Sequence, residues 1–195
     1  MTSRLRSQIN FLNEIEKLKL VSRRNKTIDR SRAENSAEHS WHVAIMAMIL
    51  VEHTDSHGLN LLRVLKMLLI HDLVEIHAGD TWAYDVGSNN NQAQREHESA
   101  HKLFSLLPAD QGDELNALWR EFEDRKTPEA RFAASVDALQ PLTNHLLSGS
   151  PEDDHPLPAC TDVVSRKSHI ASSSEALWGY AQEIIEESAR RGLYK

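Results

Sequence analysis

A single cysteine, Cys160, stands among 195 residues, which excludes an internal disulfide framework and any zinc ribbon built on several thiolates. Seven glycines and six prolines make up about 7% of the chain, roughly half their usual share. Turns are therefore few, and a domain rich in hairpins is excluded. Long apolar runs are missing as well. The longest, Val43 to Val51, has nine residues, against roughly 20 for a helix that spans a bilayer. Positive charge is in deficit, with 22 Lys and Arg against 29 Asp and Glu and a net charge of −7. That argues against a nucleic-acid polymer as partner, because phosphate-backbone affinity accumulates from Lys and Arg. A small phosphorylated ligand held by one or two basic side chains is compatible with it. MTSRLRSQINFLNEIEKL does not read as a signal segment, because it turns charged and amphipathic at once. A soluble, cytoplasmic protein with no membrane partner is the expectation.

What is abundant is histidine, at eleven residues. With thiols so scarce, any metal must be held by His and carboxylate. Helix-forming residues dominate too, and the periodicity predicts one all-α domain over residues 1–195, a bundle of about seven helices. Leu5, Ile9, Leu12, Ile15 and Leu18 give the first an apolar stripe. A polar connector follows from Ser22 to Glu34. Asn35 with Glu38 three residues on reads as a capping box, opening a helix to about His53 that is apolar almost all round (Trp41, Val43, Ile45, Met48, Ile49) and so predicted central. A third starts near Asn60. Periodicity stops between Ala78 and Asn91, a loop with the aromatics Trp82 and Tyr84. Helices return at Gln92–Leu107 and through Leu115 to Phe122. The next opens on Thr127-Pro128 and runs to about Leu147, with Pro141 expected to kink it. The stretch 148–162 reads as a second loop, and Ser174–Arg191 is the last helix, stopped by Gly192.

The densest group of ionisable residues in apolar surroundings is LLIHDLVEIHAGD, residues 68–80. An adjacent His71-Asp72 pair within a core-like helix is costly unless each has a partner. His39 lies one turn into the central helix, and Asp137 lies mid-helix in the apolar stretch AASVDALQPL. His39, His71, Asp72 and Asp137 from three helices would form a mixed nitrogen–oxygen site for a divalent ion, with positions left for water and substrate.

The order His39…His71-Asp72…Asp137 resembles the HD-domain metal-dependent phosphohydrolases. RAENSAEHSWHVA, LLIHDLVEIHAGDT, LPADQ and SEALWGYAQEIIEE, with an LKLV-x-R entry near residue 18, are similar to the short HD proteins related to bacterial 5′-deoxynucleotidases. The resemblance implies a single HD domain, a divalent metal (Mn, Co, Mg or Zn), a nucleotide or other phosphomonoester substrate, and a homodimer. It implies catalytic roles for Glu75 and Asp80 and phosphate binding by Arg23. Where that group usually has Trp, this chain has Arg24, which places sugar selectivity in question and makes Arg24 a second substrate-binding candidate. Hydrolysis of nucleoside 5′-monophosphates is the activity implied. Pyrophosphate or triphosphate release, or a non-catalytic nucleotide-binding module, are the alternatives.

Other signals have plainer readings. His97-Glu98-Ser99-Ala100-His101 matches the H-E-x-x-H of zinc proteases, but its polar surroundings predict a solvated helix face. His42 reads as packing, His77 as a residue near the pocket mouth, Glu34 and Glu38 as cap residues, and Cys160 as an ordinary loop thiol.

Overall fold

The computed structural model describes residues 2–79, 91–153 and 157–195. Helix α1 (Ser3–Ile15) starts on a Thr2 cap and runs into a 3-10 turn, Glu16–Leu20. Strands β1 (Ser22–Lys26) and β2 (Ala33–Asn35) pair antiparallel, with Ser22 opposite Asn35 and Lys26 opposite Ala33, β1 carrying the extra residues of an irregular register. Helices α2 (Ser36–Leu50), α3 (Leu61–Ile70), α4 (Glu75–Ala78), α5 (Gln92–Phe104) and α6 (Ala109–Asp124) follow. Then come α7 (Pro128–Ser148), α8 (Cys160–Lys167) and α9 (Glu175–Arg190). Among the described residues no helix is long and apolar enough to cross a membrane.

The all-α expectation stands with two corrections. The connector at 22–34 contains the β1–β2 hairpin, which SRRNK does not advertise because it lacks alternating apolar residues. Its turn is built from polar bonds instead: the Thr27 amide donates to the Arg32 carbonyl at 3.0 Å, and Asp29 accepts from the Thr27 hydroxyl and the Ser31 amide. The loop expected over 148–162 already turns helical at Cys160, where α8 begins without a side-chain cap.

α7 occupies the centre. Its small residues Ala130, Ala133, Ala134, Ser135 and Ala138 are buried, so neighbouring helices approach closely, while Phe132, Val136 and Leu139 fill the core with Met67, Leu68, Leu103, Trp119 and Ile185. Thr127 caps it by accepting from the Ala130 amide, and the helix continues through Pro141 to Ser148.

Two apolar faces are not where periodicity alone put them. On α1, Phe11 is the buried residue, whereas Leu5, Ile9 and Leu12 are exposed. On α2 the capping box forms as expected, but the face turned inward carries Ser36, His39, Ser40, Val43, Ala44 and Ala47. The large residues Trp41 (64% exposed), Ile45, Met48 and Ile49 (66%) face outward. A helix apolar all round leaves the inward face undetermined; here the face with room for a buried histidine is the one that packs.

Candidate metal centre

The site grows from a change in helix geometry. α3 ends at Ile70 and the backbone tightens into a 3-10 turn, His71–Val74, before α4. Both His71 and Asp72 are thereby buried, with His71 Nε2 3.0 Å from Asp72 Oδ1. α2 brings His39, fully buried, and α7 brings Asp137, whose Oδ1 lies 2.9 Å from His39 Nε2 and 3.4 Å from His71 Nε2. Ligand atoms of His39, His71 and Asp72 lie within 4.8 Å of one another and could hold a metal ion. Asp137 borders the same point.

Each imidazole is anchored from behind. His71 Nδ1 lies 2.8 Å from the Leu68 carbonyl, which can only accept, so Nδ1 carries the proton. His39 Nδ1 lies 3.0 Å from Gln140 Oε1. The Gln140 amide is oriented in turn, because its Nε2 donates to Glu34 Oε1 at 2.9 Å. Both rings therefore turn Nε2 into the cluster, and His71 Nε2, though buried, has no well-formed hydrogen bond. Two imidazole nitrogens converging with carboxylate oxygens make a donor set with no cation of its own, and a divalent ion fits it.

The charge states agree. Burial alone would lower the His71 pKa, yet Asp72 and Asp137 overcome it and hold the imidazolium well above its ordinary value. Burial likewise pushes Asp137 up, but hydrogen bonds from His39 and His71 bring it well below the usual carboxylate range. Asp72 is also lowered, its burial outweighed by His71 and Arg23. A metal bound here would draw on the same nitrogens and carboxylates that these protons do, so metal and proton compete for one site.

Around this centre, Arg23 of β1 donates from Nη1 to Asp72 Oδ2 at 3.0 Å, and its Nε lies 3.6 Å from Glu34 Oε2. Glu75 accepts from the buried Ser36 hydroxyl at 2.6 Å, which holds it beside the start of α2. On the α5–α6 side, burial first and other carboxylates second hold Glu96 and Glu123 above the ordinary range.

The remaining candidates fall elsewhere. Arg24 is exposed, as the neighbour of Arg23 on a strand should be, and borders a depression with Lys26, Asn144, His145 and Asp153. Asp80, Trp82 and Tyr84 lie outside the described residues. His77 pairs with Glu14 at 3.4 Å, and Glu38 serves the cap and Arg32. His97 and His101 are exposed on α5, with His97 edge-on to Trp119 at 5.1 Å. Two positioning residues escaped the sequence reading. Glu34 is buried behind the histidine rather than capping α2, and Gln140 had no signal beyond lying three residues after Asp137.

Comparison with known proteins decides the family. The HD domain matches residues 15–178. The chain belongs to the HD-domain family. A crystal structure of a predicted metal-dependent phosphohydrolase from Magnetospirillum magnetotacticum is 42% identical, covers 99% of both chains and superposes with a TM-score of 0.90. Human 5′-deoxynucleotidase HDDC2 is 32% identical over 69% of this chain, and the bovine protein of that name 31% identical over 69%. The match spans 65% of the human relative's length. A structure from Pyrococcus horikoshii, 20% identical with a TM-score of 0.67, shares the fold.

Proposed function

We propose that this HD domain, spanning the whole chain, is a cytoplasmic metal-dependent phosphohydrolase that cleaves nucleoside 5′-monophosphates to nucleoside and phosphate. The observation that carries this is the convergence of His39 Nε2, His71 Nε2, Asp72 and Asp137 on one buried point, with Arg23 at its edge. The likeness to 5′-deoxynucleotidases supports the substrate class.

His39, His71, Asp72 and Asp137 would hold a divalent ion such as Mn, Co, Mg or Zn, and Lewis acidity with an activated water is the chemistry that ion supplies there. Arg23 neutralises phosphoryl oxygens, its planar fork suited to two of them at once, and Asp72 steadies it while the site is empty of substrate. Glu75, oriented by Ser36, and Asp80 divide the proton work: one orients the attacking water and the other protonates the departing nucleoside oxygen. Arg24, outside the cluster, is kept in this reading only as a second substrate-binding candidate. A homodimer is part of this reading, supported by the exposed apolar face of α2, where Trp41, Ile45, Met48 and Ile49 recur at helical spacing.

Phosphate release from a panel of ribo- and deoxyribonucleoside mono-, di- and triphosphates tests this, with each metal supplied in turn. Monophosphates should turn over in wild type and fall at least about 100-fold in Glu75→Ala. Turnover of no nucleotide with any metal would overturn the enzymatic reading.

A further inference from the structure

A buried carboxylate is costly unless both of its oxygens are met. Glu34 of β2 is buried, and its two oxygens face different parts of the metal centre. The hairpin sets one side. Ser22 stands opposite Asn35, so Arg23 and Glu34, the next residue on each strand, are neighbours. Arg23 Nε lies 3.6 Å from Glu34 Oε2, an ion pair without a hydrogen bond. On the other side, Glu34 Oε1 accepts from Gln140 Nε2 of α7 at 2.9 Å.

The Gln140 contact fixes a tautomer. An ionised carboxylate only accepts, so the amide nitrogen of Gln140 must face Glu34 and the amide oxygen must face away. That oxygen lies 3.0 Å from His39 Nδ1, which therefore donates and leaves Nε2 beside Asp137 at 2.9 Å. His42 Nδ1, 3.4 Å from the Gln140 nitrogen, agrees with that orientation. The Arg23 contact supplies charge. Arg23 also donates to Asp72 Oδ2 at 3.0 Å, so its guanidinium stands between two carboxylates of different kinds. Asp72 belongs to the group that could hold a metal, and Glu34 does not. When Asp72 serves a cation, Glu34 remains the counter-charge that keeps the guanidinium at the edge of the cluster.

We infer that Glu34 is the positioning residue that holds the phosphate-binding and metal-binding halves of the site in register. One oxygen steadies Arg23 for the phosphoryl group; the other sets the Gln140 amide and, through it, the His39 tautomer. The inference rests on the phosphohydrolase reading for Arg23 as the phosphate contact. A purely electrostatic role for Glu34 predicts the opposite sign, because removing a negative charge beside an anion site tightens the anion.

The test measures inorganic phosphate binding to the Mn²⁺-saturated full-length protein by calorimetry, and Mn²⁺ affinity by competition with a chelator. Glu34→Gln keeps the shape and an oxygen for Gln140 but removes the charge that faces Arg23. Phosphate binding should weaken about tenfold and KM for a nucleoside monophosphate should rise equally, the worth of one charge-assisted contact. Mn²⁺ affinity should stay within about threefold. Glu34→Ala loses both contacts and should weaken Mn²⁺ affinity about tenfold as well. Arg23→Gln should weaken phosphate about tenfold, and adding Glu34→Gln to it should cost no further affinity, as expected of two residues acting through one contact. Phosphate binding that is unchanged or tighter in Glu34→Gln overturns the inference, and so does a wild type that binds no phosphate. Additive losses in the double variant, or wild-type Mn²⁺ affinity in Glu34→Ala, overturn it too. If nucleotides are still hydrolysed in that case, the proposed activity stands without it. Phosphate binding that follows Arg23 and Glu34 in a protein hydrolysing no nucleotide leaves the inference standing while the activity falls.

Discussion

Two histidine pairs lie on helices of this protein, and their sequence signals are opposite to their surroundings. His97 and His101 on α5 sit four residues apart with a glutamate between them, the more conspicuous pattern, yet both are exposed. His39 and His71 are separated by most of two helices, yet both are buried and their ring centroids stand 5.5 Å apart. The difference lies behind the rings. Gln140 and the Leu68 carbonyl fix Nδ1 of the buried pair, whereas the exposed His97 ring stands edge-on to Trp119. Spacing brings two nitrogens to one face; an anchored tautomer and a converging carboxylate make them ligands.

The comparison breaks hardest at the ligands. Asp72→Ala removes a carboxylate that contacts both His71 and Arg23; bound metal should drop to a trace by elemental analysis, and activity should fall at least about 1000-fold. Retained metal would place the centre elsewhere. A smaller effect is expected at the anchor. Gln140→Leu leaves every ligand in place but frees the His39 ring and takes the amide donor from Glu34 Oε1, so metal affinity should weaken about 10- to 100-fold, measured by competition with a chelator. Equal affinity would mean that packing alone orients His39.

Metal addition should sharpen the contrast from the other side. Chelated protein should gain about 3 kcal/mol on adding metal to 100 times its Kd, read as a rise in Tm, and His97→Ala with His101→Ala should show the same gain. A lost gain in that double variant would restore α5 as the metal site. The smallest effect belongs to neither pair. Asp29, in the hairpin turn, is held down to about 2 by the Thr27 hydroxyl and by Ser31. Its depressed pKa contributes stability above its unfolded value near 4, lost as pH falls through about 2. Asp29→Asn should therefore flatten the acid limb of the stability curve over that window, and an unchanged limb would dismiss the turn's role.

How legible the site was follows from the kinds of force involved. His39, His71, Asp72 and Asp137 stood out because ionisable groups are improbable in apolar helices; His39, His71 and Asp72 are buried side by side, and Asp137 is partly exposed next to them. Thr127, Asn35 and Ser174 announced helix starts because capping is local chemistry. Glu34 and Gln140 were hidden because they act across more than a hundred residues and carry no local pattern. The outward faces of α1 and α2 were misread for a related reason: periodicity finds an apolar stripe but does not say which neighbour covers it. The β1–β2 hairpin was invisible because it is held by polar bonds rather than a buried face.

The distance along the chain between partners also bears on how the protein folds. His39 meets Asp137 across 98 residues and Gln140 across 101, and Asn25 grips Asn144 across 119. A helix forms from local hydrogen bonds, but the site exists only once α2 and α7 have found each other, a loop closure of the kind that slows folding. Competence to bind metal should thus appear later in refolding than helical signal does, with the metal locking a contact that chain connectivity alone assembles slowly.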